Sequence, residues 1–480
     1  MGKKLEILIE RLANNGKGVG TGPEGKTVFV AGAVPGDRLL AEVTAEKKRL
    51  REAVIREIIQ PSPERIAPDC PDNEGCGGCA FRCMTYTAEL TAKEGFVRDA
   101  FRRIGGFTLS AEGSGGEGIR MDPILPSPRI EAYRNKVEFA IGTDAAGEPV
   151  FGFRSEQSHR VIPVRDCRII PSEFLKAAEL FWKVSRKYGL KACDPASGTG
   201  SLRHLVLRRS GLTGEIMAVI VSAAELPHEM YTAAEEIRQA MPEITSVILN
   251  INPNPGGAVL GPRNRVLSGA PVIRDRIRGV PVEIGPLSFF QVNTPAAERL
   301  YQTTAEFAAV RAKDVVLDLY CGMGTIGLSI ASGCRRLIGG EIIPEAVESA
   351  RRNARAMGVQ NTRFLCGDAG QIAEKLIDEG LRPNLIILDP PRRGCSPETL
   401  KAVQRLSPDR IVMVSCDPAT AARDCRTLTD QGYTPTRLQP VDLFPRTKHV
   451  ETVCCLYHQK NDFISVPYEP KDADYLKQLK

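Results

Sequence analysis

Apolar and polar positions follow different periods in different parts of the chain. In the first ~60 residues they alternate or run in short apolar stretches, at Leu5–Glu10, Thr27–Val30 and Arg38–Val43. Gly16, Gly18, Gly20, Gly22 and then Pro35-Gly36-Asp37 lie between these stretches. Short runs punctuated by turn residues predict strands, and hence a small β-barrel of the oligonucleotide-binding kind. A cysteine-rich stretch at 70–83 follows, then a helical pattern over 86–104. Gly105 to Gly118 is rich in Gly and Ser and reads as a flexible connection. From Tyr133 to about 250, strand-like Val137–Gly142, Leu205–Arg209 and Ile216–Ser222 mix with helical stretches near 172–189 and 230–240. That mixture predicts an α+β unit.

Beyond about residue 311 the polar alternation disappears. Val315–Tyr320, Leu337–Ile342, Arg363–Cys366, Leu385–Leu388 and Ile411–Ser415 are short apolar runs separated by helical stretches such as Pro344–Met357. Such runs suit strands buried on both faces, and their alternation with helices predicts a doubly wound α/β domain around a parallel sheet. The expected organisation is a barrel at 1–60, a central α+β domain at 61–270, a Rossmann-like domain at 271–460 and a tail at 461–480.

Composition narrows the class. The 480 residues are 42% hydrophobic and 25% charged, ordinary for a soluble protein of roughly three domains. No apolar run approaches the ~18 residues needed to cross a bilayer, and the charged start Met1-Gly2-Lys3-Lys4-Leu5-Glu6 is unlike a signal peptide. A cytoplasmic protein is expected, with its fourteen cysteines as thiols rather than a disulfide scaffold. A net charge of +6 permits a nucleic-acid partner without demanding one. The basic run Lys47, Lys48, Arg49 and Arg51 is either a solvated face or an RNA contact.

Ligands of open parallel sheets bind at the carboxyl ends of the strands. The five ends here read Asp318-Leu319-Tyr320-Cys321-Gly322-Met323-Gly324, Glu341, Gly367-Asp368, Asp389-Pro390-Pro391-Arg392 and Ser415-Cys416-Asp417-Pro418. Taken singly, each acid could be a helix N-cap and Cys416 an inert core thiol. Together they line one edge of one sheet. Glu341 lies 23 residues beyond Asp318, where such folds place an acid on a ribose diol. The glycine loop lacks both the dinucleotide and the P-loop spacing, so S-adenosylmethionine fits better than NAD or ATP. Cys416 offers a soft nucleophile. Thiolate addition at C6 of a uracil puts electron density on C5, which can then take a methyl group. A base, such as the carboxylate in His449-Val450-Glu451-Thr452, must then remove the C5 proton.

These residues resemble the RNA uracil-5-methyltransferase family, over nearly the whole chain. The resemblance is carried by Phe290-Gln291-Val292-Asn293, Asp318–Gly324, Asp389–Arg392, Ser415–Pro418 and Asp442-Leu443-Phe444-Pro445 through Glu451. The amino-terminal part resembles a TRAM domain, an RNA-binding module that the family's 23S ribosomal RNA enzymes mostly carry and its tRNA enzymes usually lack. The resemblance implies a Rossmann-like methyltransferase domain behind that barrel. Cys416 would be the nucleophile and Glu451 the base. Gln291, Tyr320, Glu341 and Asp389 would contact S-adenosylmethionine. Asp417 stands where the family pattern has Asn, which puts base recognition by that side chain in doubt. The expected partner is RNA, 23S rRNA ahead of tRNA, with the enzyme acting as a monomer. A non-catalytic RNA-binding protein of the same fold is the rival of another class. A DNA amino-methyltransferase is disfavoured, because Arg392 follows the paired prolines where such enzymes present an aromatic.

Cys70, Cys76 and Cys79 have the spacing C-x5-C-x2-C with Gly77-Gly78 inside, and three thiols on such a loop can converge on a metal. The resemblance implies a [4Fe–4S] cluster with Cys167 as the remote fourth ligand. Cys83 is the local rival; from spacing alone zinc is the alternative metal, and an inert set of thiols with no metal is the third reading. Tyr133-Arg134-Asn135-Lys136 and Leu202-Arg203-His204 resemble family segments that could touch RNA phosphates. Of the histidines only His449 has a site role in prospect. Trp182 is expected in helix packing, Cys454-Cys455 in a buried strand, and Cys193, Cys334, Cys366, Cys395 and Cys425 as structural residues.

Overall fold

The computed structural model describes residues 3–111, 118–143, 148–155, 160–193, 199–254 and 256–459. The tail at 461–480, and residues 112–117 of the Gly/Ser-rich connection, lie outside the described residues.

The chain begins with a six-stranded sheet. Its spatial order is Lys4–Leu8, Arg38–Glu46, Leu50–Gln60, Thr27–Val30, Gly18–Thr21 and Arg11–Leu12. Alternate residues Leu5, Ile7, Val28, Val30, Leu39 and Ala41 point inward and form its core. The sheet curls tightly at Gly20, where a β-carbon would fall 2.2 Å from the Leu8 carbonyl oxygen, so only glycine lets the backbones meet. Lys47, Lys48 and Arg49 sit exposed at a hairpin tip. Arg51 does not belong to that face. It is buried, and its guanidinium lies 2.9 Å from Glu46, its direct cross-strand partner in the hairpin.

A seven-stranded sheet follows, ordered Val161–Pro163, Pro149–Arg154, Lys136–Thr143, Leu202–Arg209, Ile216–Ser222, Ile244–Ile251 and Arg263–Gly269. Helices Ser172–Lys187 and Glu229–Ala240 bury Phe174, Phe181, Met230 and Ile237 against it. Trp182 packs from the first helix toward Phe151, with ring centroids 6.2 Å apart.

The third sheet carries the site. Its order is Thr362–Cys366, Arg336–Glu341, Val315–Leu319, Leu385–Leu388, Arg410–Ser415, Glu451–His458 and Tyr433–Val441. The first five strands are parallel and Glu451–His458 runs against them. The five apolar runs read from the sequence are these five parallel strands; four are buried as continuous runs require, while the edge strand Thr362–Cys366 buries only Phe364. Pro344 opens the helix Pro344–Ala356, where its missing N–H costs nothing.

Two further short strands, Ile119–Met121 and Leu109–Ser110, extend this sheet at the Tyr433–Val441 edge. The helix Tyr86–Arg103 joins them, burying Val97, Ala100 and Phe101 in the same core as Leu428 and Leu438. The helix Tyr86–Arg103 and the strands Leu109–Ser110 and Ile119–Met121 thus belong with the third sheet, although the sequence pattern places them with the central domain. Strands of two and three residues are too short to show a period. No helix of the described residues is long and apolar enough to cross a membrane.

Candidate active site

The site forms where the parallel strands end. Val315–Leu319 hands over to a tight turn in which Tyr320, Gly322 and Gly324 all have positive φ, at 63°, 53° and 77°. For Tyr320 that conformation costs about 1–2 kcal/mol. A β-carbon at Gly322 would meet nothing within 4 Å, so the turn opens onto free space. The Glu341 carboxylate closes one side of it, accepting from the Gly322 amide at 3.0 Å and the Ile343 amide at 2.9 Å. Beside it Ile342 and Ile343 are exposed, an apolar surface suited to a flat ring. Asp318 accepts from the Gly327 amide at 3.0 Å with one oxygen, while its other oxygen is buried without a partner. Open space, an apolar shelf and carboxylates at the strand ends fit a nucleoside that bears a cation. Such is S-adenosylmethionine.

Cys416 follows Ser415, the last residue of its strand, and Ser415 pairs with Thr452 on the antiparallel neighbour. The residue before Thr452 is Glu451, so the register places Cys416 opposite Glu451. Asp389 enters from the adjacent strand end, where its amide bonds the Leu319 carbonyl at 3.4 Å. Burial, and then Glu451 and Asp389 nearby, push the Cys416 thiol up to about 11, against the pull of Arg392. Burial, and then Asp389, lift Glu451 to about 8. Burial alone lifts Asp389 to about 7. His449 is pushed down to about 4 by burial and by Arg392, whose guanidinium stands 3.5 Å from its Nε2. Gln291 reaches the same pocket beside the Tyr301 hydroxyl, which also feels Asp389. The structure therefore gathers Cys416, Glu451, Asp389, Arg392, His449 and Gln291, with Tyr320 in the adjoining turn and Glu341 at the neighbouring strand end.

Three buried acids with raised pKa make a stability prediction. In the unfolded chain Asp389 loses its proton near 3.8, but in the fold only near 7. The unfolded state therefore binds fewer protons between those values, and stability falls as pH rises through that window. Asp318 and Glu451 act in the same direction up to about 8. We expect the melting temperature of the apoprotein to drop from pH 5 to pH 8. Asp389→Asn should melt higher than wild type at pH 8 while losing methyl transfer. Thermal unfolding at the two pH values checks this, and an unchanged or lower melting temperature for the variant at pH 8 would contradict it.

Several sequence expectations are redirected by the structure. Asp417 caps the helix Pro418–Asp430, accepting from the amides of Ala419 at 2.9 Å and Thr420 at 3.0 Å. Its side chain is spent on the backbone. Arg203 donates to the carbonyls of Asn252 and Asn254, and His204 is buried, so neither is set for a phosphate. Asn135 holds the Gln291 carbonyl at 2.8 Å rather than RNA. Cys366 is exposed, with its thiol 3.7 Å from the Ile342 carbonyl, and Cys193 is half-buried, whereas Cys334, Cys395, Cys425, Cys454 and Cys455 are buried.

The cysteine loop docks on residues 165–168. The Arg165 amide donates to Asp72 at 2.9 Å, and the Cys70 thiol lies 3.7 Å from the Asp166 carbonyl. Cys79 and Cys167 are each pushed up to about 11, by burial first and then by the neighbouring thiols, Cys70 among them. Cys76 is raised by burial, with Cys79 and Cys70 adding to it. The expected set Cys70, Cys76, Cys79 and Cys167 thus shares one neighbourhood. Cys83 lies instead beside the Arg65 guanidinium. Among the described residues, however, no three His, Cys, Asp or Glu side chains stand where they could hold a metal ion.

A strand order of 3-2-1-4-5-7-6 with a glycine turn and acids at the strand ends defines a methyltransferase of the Rossmann-like class. Comparison with known proteins narrows the class. The family model for tRNA (uracil-5-)-methyltransferase matches residues 282–459, and that for the TRAM domain matches residues 1–53. An uncharacterized RNA methyltransferase of Halalkalibacterium halodurans is 38% identical over 94% of this chain and 96% of its own. One of Gloeobacter violaceus is also 38% identical, over 95% and 96%. The crystal structure of the Pyrococcus abyssi tRNA (uracil-54, C5)-methyltransferase with S-adenosyl-L-homocysteine superposes with a TM-score of 0.72. It is 26% identical and covers 94% of this chain and 100% of that one. The chain belongs to the RNA uracil-5-methyltransferase family and is an S-adenosylmethionine-dependent RNA methyltransferase.

Proposed function

We propose that this enzyme makes 5-methyluridine in 23S ribosomal RNA through a covalent adduct on Cys416. The observation that carries the mechanism is the register that sets Cys416 against Glu451 at the end of paired strands. S-adenosylmethionine supplies an electrophilic methyl group. Cys416 loses its proton to solvent and bonds as thiolate to C6 of the uracil. The electron pair of the C5–C6 double bond moves to C5, and C5 takes the methyl as its bond to the sulfonium sulfur breaks, leaving S-adenosylhomocysteine. Glu451 then accepts the C5 proton, the C5–C6 double bond re-forms, and the C6–S bond breaks with its electrons on sulfur. Burial raises the Glu451 pKa to about 8, so its ionised carboxylate is the stronger base for this last step. Arg392 lowers the thiol's pKa and so assists the first. The target uridine must leave its stack to reach a site this recessed.

Methylation of tRNA is the second reading, and one observation favours it. An alignment that omits 6% of this chain cannot omit the amino-terminal sheet over Lys4–Gln60. A protein with a tRNA target therefore shares this fold over 94% of the chain, and the sheet supports RNA binding more than it supports ribosomal RNA. Methyl transfer to unmodified 23S RNA and unmodified tRNA, assayed side by side, separates the two.

The cysteine set is read as the site of a [4Fe–4S] cluster. Four mutually close thiols supply the donor chemistry. A zinc ion would need all four sulfurs within about 4 Å of one another, given its ~2.3 Å bonds. Among the described residues no three His, Cys, Asp or Glu side chains stand where they could hold a metal ion, which weighs against the cluster as much as against zinc. After anaerobic purification we expect iron and acid-labile sulfide in about equal amounts, on the order of four of each per chain. Stoichiometric zinc without iron would overturn this reading.

A further inference from the structure

The turn from Asp442 to Val450 delivers Glu451, and it is held by a distant part of the chain. Lys93, on the helix Tyr86–Arg103, is fully buried. Its ammonium donates to Asp442 Oδ1 at 2.7 Å, to Glu89 Oε1 at 2.7 Å and to the Phe444 carbonyl at 3.0 Å. Asp442 also accepts from the Tyr86 hydroxyl at 2.7 Å, and Glu89 from the Arg446 amide at 2.7 Å. Each carbonyl from Leu443 to Arg446 is bonded from outside the turn. Asn293 donates to Leu443, Lys93 to Phe444, Tyr133 to Pro445 and Phe81 to Arg446.

Glu89, Lys93 and Asp442 are each buried, and burying charges costs stability unless geometry and pairing are good. An apolar trio would fasten the helix as well. What the charges add is direction: one ammonium fixes a carboxylate and a carbonyl of the same turn at once.

We propose that Lys93 is a positioning residue for proton abstraction, holding through Asp442 and Phe444 the turn that presents Glu451 to the C5 proton. The inference rests on the roles of Cys416 and Glu451 given above. Lys93 does not touch the base and has no part in forming the adduct. Cys416 sits on a separate turn, anchored by the Asp417 cap. A loosened 442–450 turn slows only the last step, in which Glu451 takes the C5 proton, the C5–C6 double bond re-forms and sulfur leaves C6.

The test compares Lys93→Met and Asp442→Asn with wild type on one RNA made with uridine or with 5-fluorouridine. Fluorine cannot leave C5 as a proton does, so the fluorinated adduct is trapped without help from the base. In both variants we expect the fluorinated adduct to form at the wild-type rate. On uridine RNA the methylated adduct should accumulate on denaturing gels, with release of 5-methyluridine RNA slowed at least ~10-fold. Equal slowing on both RNAs overturns the proposal, as does release at the wild-type rate. Should Lys93→Met not fold, Asp442→Asn, which keeps the shape and removes one charge, decides alone. If wild type forms no fluorinated adduct, the covalent reading itself fails. If wild type forms it and the variants release normally, only the role of Lys93 fails.

Discussion

Cys416→Ala is expected to lose at least ~1,000-fold in methyl transfer and to form no covalent adduct with RNA. The expectation follows from the electronics of uracil. Its C5 becomes nucleophilic only when a group adds at C6, and Cys416 is the thiol that the sheet sets opposite Glu451. Acids around it cannot substitute, because the carboxylates of Asp389 and Glu451 are far poorer nucleophiles than a thiolate. The residue is partly exposed and follows the strand, so alanine there removes one sulfur without opening the core. Folding, and binding of S-adenosylmethionine in the Tyr320–Gly324 turn, should survive. Calorimetric binding of the donor to the variant, run beside the activity assay, separates lost chemistry from lost structure. Methylation at even a tenth of the wild-type rate would remove Cys416 from the mechanism.

Glu451→Gln is expected to stop the reaction one step later, leaving methylated RNA attached to Cys416. Glutamine keeps the shape and loses the proton acceptor, and general bases of this kind contribute roughly 100- to 10,000-fold. Glu451 heads the strand Glu451–His458 and is paired with Val441, so the substitution leaves the ladder in place. The variant should transfer about one methyl group per chain from labelled S-adenosylmethionine and then stall. Label comigrating with protein on a denaturing gel is the predicted result. Free 5-methyluridine RNA released at the wild-type rate would assign the base elsewhere.

What could be read from the sequence was read where one local pattern fixed one element. Five continuous apolar runs became five parallel strands, and the acids and cysteine that follow them fell on one edge because strand ends in such a sheet must. Glu451 was legible only through the motif it closes, since no local period marks a residue at the head of an antiparallel return strand. Asp417 and Arg51 show the opposite case. A polar residue beside a site or in a basic run carries no sign of whether its partner is a ligand, a helix end or a neighbouring strand. Most hidden was the grip on the catalytic turn. Lys93 and Asp442 are 349 residues apart, and each alone reads as an ordinary charged residue. Lys93 and Glu89 one helical turn apart, near apolar Val97 and Phe101, were the only trace of a buried charge pair.

Covalent activation of a uridine by Cys416 is the step on which the other roles depend. The most direct measurement incubates wild-type enzyme and Cys416→Ala with labelled S-adenosylmethionine and unmodified 23S RNA or tRNA, then identifies the labelled nucleoside by mass. The account predicts 5-methyluridine from wild type, in 23S RNA first, and none from the variant. Another methylated nucleoside from wild type, or 5-methyluridine from the variant, would contradict it.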